Sequence, residues 1–102
     1  AVTLGGSLYW VDMVGNRTAP VIFGPRRVVL LAGRNKIVDT QADAERRVQQ
    51  IAGPKNVARH TGFRTPCAVT GLCADCNSRV WLERCYPAGR ILVLLIDEEA
   101  GL

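Results

Sequence analysis

Two apolar runs constrain this chain more than any other feature: "VVLLA" (Val28 to Ala32) and "ILVLLI" (Ile91 to Ile96). A strand with one wet face alternates apolar and polar residues. A continuous run fits a strand covered on both faces, as in a parallel sheet. Neither run approaches the roughly 20 residues that a membrane helix needs. Between them lies one clear helical pattern. Thr40-x-x-Asp43 resembles a capping box, and Ala44, Val48, Ile51 and Ala52 recur at helical spacing while Glu45, Arg46, Gln49 and Gln50 face elsewhere. Gly53-Pro54 predicts the stop. Strand, loop, helix is the opening of an α/β unit.

The remaining segments fill in a parallel or mixed sheet. Leu8 to Val14 reads as a strand, Gly15-Asn16-Arg17 as turn chemistry, and Ala19 to Phe23 as a returning strand with Pro20 at its start. Arg79 to Cys85 reads as a further strand and Tyr86 to Gly89 as a turn. Residues 55–78 show no periodicity and form a predicted cysteine-bearing loop. At 102 residues, one domain is the expectation. One helix cannot cover both faces of a sheet that contains the two apolar runs. This missing cover, the abrupt start and the first residue, Ala1 rather than Met, predict part of a longer domain. An exposed strand edge then favours a homo-oligomer. With no membrane-length run and no secretory pattern, the expected location is cytoplasmic.

The thiols are spaced Cys67-x5-Cys73-x2-Cys76-x8-Cys85. Cys73 and Cys76 form a natural metal knuckle, and four thiolates complete a tetrahedral zinc or an iron–sulfur site. The pattern has one knuckle where a zinc ribbon has two. A disulfide or redox pair at Cys73 and Cys76, reduced packed thiols, and a nucleophilic cysteine with His60 as base are the other readings.

The net charge is +4, with arginines scattered along the chain rather than gathered. Nucleic acid is therefore not the expected partner, but a mild positive field attracts an anionic substrate. Arg34, Asn35 and Lys36 follow the "VVLLA" strand at its carboxyl end, where open α/β sheets bind ligands. Asn35 and Lys36 are the leading anion-binding candidates, followed by Asn16 and Arg17. There is no G-x-G-x-x-G, phosphate loop or H-E-x-x-H. Asp12, Asp39, Asp43, Asp75 and Glu83 offer no paired-carboxylate spacing.

The order of motifs resembles one family. "DMVGNRTAPVIFGPRRVVLLAGRNKIV", "IAGPKNVAR", "TPCAVTGLCADCNS" and "PAGRILVLLIDEEAGL" are similar to the LUD-domain proteins, the lactate-utilisation protein C and YkgG-like group. The resemblance implies a fold of the NagB/RpiA/CoA-transferase class, seen here as the C-terminal part of a domain about twice this length. It implies a role in oxidising L-lactate to pyruvate with iron–sulfur partner proteins. Members often carry a further cysteine in a segment like "RICN"; here Cys76-Asn77-Ser78 runs directly into Arg79, and Cys85 does not match that position.

Overall fold

The computed structural model describes residues 1–60, 62, 64–73 and 76–102. Its strands form two sheets where the sequence predicts one. The first has four strands: β1 (Val2–Thr3), β2 (Leu8–Asp12), β4 (Ile37–Val38) and β5 (Ser78–Leu82), in the order β4-β1-β2-β5. β1 pairs antiparallel with β2 and parallel with β4, and β2 pairs antiparallel with β5. The second sheet holds the two apolar runs, β3 (Val28–Gly33) and β6 (Ile91–Ile96), paired in parallel with Val28 opposite Ile91. The architecture is α/β with mixed pairing.

Parallel pairing of the two runs is as expected, but cover on both faces is not. Residues in register point to one side of the sheet. Val29, Leu31, Leu92 and Leu94 share such a side and are 57%, 65%, 52% and 42% exposed. The shortage of helices thus shows as one uncovered face.

Helix α2 (Gln41–Arg47) begins where the sequence places it. Thr40 is the N-cap, and its hydroxyl oxygen accepts the Asp43 N–H. Ala44 and Val48, four residues apart, bury one stripe against Tyr9. Tyr9 stacks on its cross-strand partner Trp81 with ring centroids 4.5 Å apart. Ile51, expected on the same stripe, is exposed.

The helix does not stop at Gly53-Pro54. It widens into a π-helical stretch at Val48–Ala52 and continues as α3 (Gly53–Ala58). The Gly53 N–H donates to Val48 O in the wider turn, and Gly53 keeps a right-handed helical φ of −59°. Pro54 then sits in the first turn of α3, where a missing N–H costs little. The predicted loop 55–78 also holds α4 (Pro66–Thr70), closed by Gly71 with φ of 69°. Such a left-handed cap suits glycine.

Ala19 to Phe23 is helical, not extended: α1 spans Thr18–Ile22. Pro20 lies in its first turn, where no helical partner awaits its N–H. Both ends of α1 are held from elsewhere. At the start, Asp12 accepts from the Arg17 and Thr18 N–H groups, and Trp10 Nε1 donates to Thr18 Oγ1 at 2.9 Å. At the end, the Arg90 guanidinium donates to Val21 O at 2.6 Å, Pro20 O at 3.0 Å and Pro25 O at 2.9 Å. The Arg90 carbonyl accepts the Val28 N–H, so the same residue sets the start of the β3–β6 pair.

Replacing Arg90 with Met keeps an apolar stem and removes every donor. Urea unfolding is expected to show a loss of about 2 kcal/mol, with Arg90→Lys recovering less than half. A change within about 0.5 kcal/mol, typical of a neutral surface site, is inconsistent with the clamp.

Candidate functional site

The 3-10 turn Arg34–Lys36 leaves the carboxyl end of β3. Asn35 and Lys36 stand together there, but the chain's own tail occupies their polar groups. Asn35 Nδ2 donates to Gly101 O at 3.1 Å, and Asn35 Oδ1 accepts the Ala100 N–H. Lys36 Nζ donates to Ala100 O. The tail passes so close that a Cβ on Gly33 meets Asn35 Oδ1 at 2.6 Å and Glu98 O at 2.8 Å. Burial, then the nearby Arg47 charge, lowers the Lys36 pKa. Arg47 was not singled out from sequence. Its Nε donates to Asn35 O at 2.6 Å, and it lines an open cleft beside the turn.

Asn16 and Arg17 lie in a second place, the turn between β2 and α1. Asn16 is exposed. Arg17 folds back over the preceding strand: Nη2 donates to Val11 O at 3.3 Å and sits 3.6 Å from Asp12 Oδ1. Among the described residues no hydrogen bond or ion pair joins this turn to Asn35 or Lys36. Asp12 is the residue that organises the turn, and it is 1% exposed. Burial pushes its pKa up. Hydrogen bonds from Thr18, Gly15 and Arg17 outweigh burial and hold it at about 2.

The thiols divide three and one. Cys67, Cys73 and Cys76 lie near one another, and all four cysteines are free. Cys73 packs on the buried cluster of Tyr9, Ala44 and Val48, filling the space above Gly53. A Cβ on Gly53 meets its sulfur at 2.9 Å. Burial pushes the Cys73 thiol up, and Cys76 and Cys67 add to the effect. Cys67 Sγ lies 3.1 Å from Thr65 Oγ1. Cys85 stands apart, past the far end of β5, with its thiol donating to Pro87 O at 3.3 Å. The five-residue strand β5, rising about 3.3 Å per residue, lies between Cys76 and Cys85 in the chain.

Among the described residues no group of three or more His, Cys, Asp or Glu side chains is arranged to hold a metal ion. Asp75 lies outside the described residues. His60 follows α3, its N–H donating to Val57 O.

The LUD domain family model matches residues 1–96. The chain belongs to the LUD-domain family. No curated protein and no solved structure matches it. No helix among the described residues of this LUD domain is long and apolar enough to cross a membrane.

Two predictions follow the geometry of this LUD domain. The lowered Asp12 pKa means that its contribution to stability is present above the ordinary carboxylate value of 3.8 and is lost as pH falls through about 2. Asp12→Asn is therefore expected to cost about 2 kcal/mol at neutral pH. In urea titrations the gap to the parent chain narrows between about pH 4 and pH 2; a constant gap contradicts the assignment. The raised Cys73 pKa leaves less thiolate at pH 8 than a free thiol has. Site-resolved alkylation is expected to be slower at Cys73 than for N-acetylcysteine; equal or faster labelling removes the burial argument.

Proposed function

We propose that this LUD-domain chain is an accessory, electron-transfer-linked component of L-lactate oxidation to pyruvate, working in the cytoplasm with iron–sulfur partner proteins. The observation that carries the reading is the family match over residues 1–96. Its α/β architecture is read as part of a NagB/RpiA/CoA-transferase-like fold. Two features support an accessory role over a self-contained enzyme. The polar groups of Asn35, Lys36 and Arg17 hold the chain's own backbone and Asp12. The uncovered face of Val29, Leu31, Leu92 and Leu94 suits a chain that works bound to others.

Deleting the gene that encodes this chain tests the reading. Growth on L-lactate as sole carbon source is expected to fail, growth on pyruvate to continue, and the intact gene to restore the first. Undiminished growth on L-lactate, or equal loss on both carbon sources, sinks the proposal.

A further inference from the structure

The β3–β6 pair has one uncovered side, and its two ends carry opposite charge. Val29, Leu31, Leu92 and Leu94 together leave on the order of 400 Å² of apolar surface in one patch, the scale that marks an interaction site. The strands run parallel, so both begin at one end of the sheet and both stop at the other. Arg26 and Arg27 precede β3 and are exposed. Among the described residues neither has an ion pair. The Arg90 guanidinium lies at the same end, while Glu83 and Arg84 beside Ile91 offset each other. Asp97, Glu98 and Glu99 follow β6 at the other end, all exposed. Arg34 sits 3.6 Å from Asp97 Oδ1. Lys36 and Arg47 are half-buried and bond backbone carbonyls. Among the described residues Glu98 and Glu99 are thus the exposed acids without an ion pair at this end.

These features select a second copy of the same chain. A six-residue strand is about 20 Å long, more than the screening length of about 8 Å at physiological salt, so the two ends do not cancel within one copy. A two-fold axis can lie between two stacked faces and perpendicular to the strands. Strands of the two copies then run in opposite directions. The apolar side chains of each copy cover those of the other, and the basic end of each meets the acidic end of the other, twice over. A two-fold axis along the strands brings like charge to like charge instead, which is unfavourable. The apolar patch supplies about half of the roughly 800 Å² per partner of a standard interface, so the contact is weak. Exposed ion pairs add little affinity; their part is to fix the orientation.

We infer that two copies of this chain associate face to face through Val29, Leu31, Leu92 and Leu94, with their strands antiparallel and Arg26 and Arg27 of each copy against Glu98 and Glu99 of the other. The homo-oligomer expected from the sequence thereby forms through a face rather than a strand edge, because edge pairing leaves the apolar side in water. The surface does not depend on the metabolic role. Growth on L-lactate tests that role and sedimentation tests the surface, so either can fail alone.

The experiment is sedimentation equilibrium of the full chain from about 1 to 200 µM, with circular dichroism to check that each variant is folded. A reversible monomer–dimer equilibrium is expected, half-dissociated at about 10 µM. Raising salt from about 50 to 500 mM should weaken it about threefold. Leu31→Gln, at an exposed position, should weaken it about tenfold or more. Arg26→Glu with Arg27→Glu should weaken it about tenfold, and so should Glu98→Lys with Glu99→Lys. A chain with all four reversals again has opposite ends, and its affinity should return to within about threefold of the parent. A folded parent that stays monomeric at about 200 µM overturns the inference and leaves the face to a different protein. So does a dimer that Leu31→Gln leaves unchanged, which is the mark of edge pairing. So does a chain with all four reversals that stays as weak as either pair. Assembly beyond two copies also overturns it, because an isologous contact closes at the dimer.

Discussion

Arg90 stands where three parts of the chain have to meet, and it meets them with one side chain. The last carbonyls of a helix have no partner inside the helix. Those of Pro20 and Val21 point out of α1, and the Pro25 carbonyl lies just before β3. The Arg90 fork takes all three, while its own carbonyl takes the Val28 N–H. A lysine ammonium lacks the planar spread of donors for this arrangement. The placement of β3 beside β6 and the closure of α1 are thus one event.

Asp12 performs the matching task at the other end of α1. Five residues do not make a stable helix in water, because nucleation costs more than so few hydrogen bonds return. Here the buried carboxylate holds the first N–H groups, the guanidinium holds the last carbonyls, and Val21 is buried between them. The α2 region uses a different means. A local cap starts it, and Ala44 and Val48 fasten it to Tyr9 across the four-stranded sheet. Cys73 adds itself to this cluster because Gly53 leaves room for it.

The parts legible in the sequence are those set by near neighbours. The Thr40 cap, the two apolar strands, and the strands at Leu8–Asp12 and Ser78–Leu82 follow from residues a few positions apart. The family was also legible, through the order of its motifs. What escaped depends on distant contacts. Ala19 to Phe23 has strand-like composition, and only Asp12 and Arg90 make it a helix. Gly53-Pro54 reads as a stop unless a π turn shifts the donors past the proline. Asn35 and Lys36 have the right chemistry for an anion at the right end of β3. Their partners, Ala100 and Gly101, lie at the other end of the chain. For Arg47 the signal was its place about two turns from the Thr40 cap. Its link to Asn35 has no local mark. The cysteine spacing alone does not show that Cys85 lies past the far end of β5, bonded to Pro87 O.

The interleaving of the two sheets has a consequence for how the chain is made. β3 belongs with β6, yet β4 and β5, which come between them in sequence, belong to the other sheet. During synthesis β3 therefore leaves the ribosome long before its partner exists, and loop-closure entropy must be met before the pair is rewarded. Until Arg90 and Ile91 to Ile96 emerge, Val28 to Ala32 is a bare apolar strand with two open edges. The four-stranded sheet can close as soon as β5 appears. A nascent chain stalled between the two strands would hold one finished sheet and one adhesive strand, which is the form a chaperone would meet.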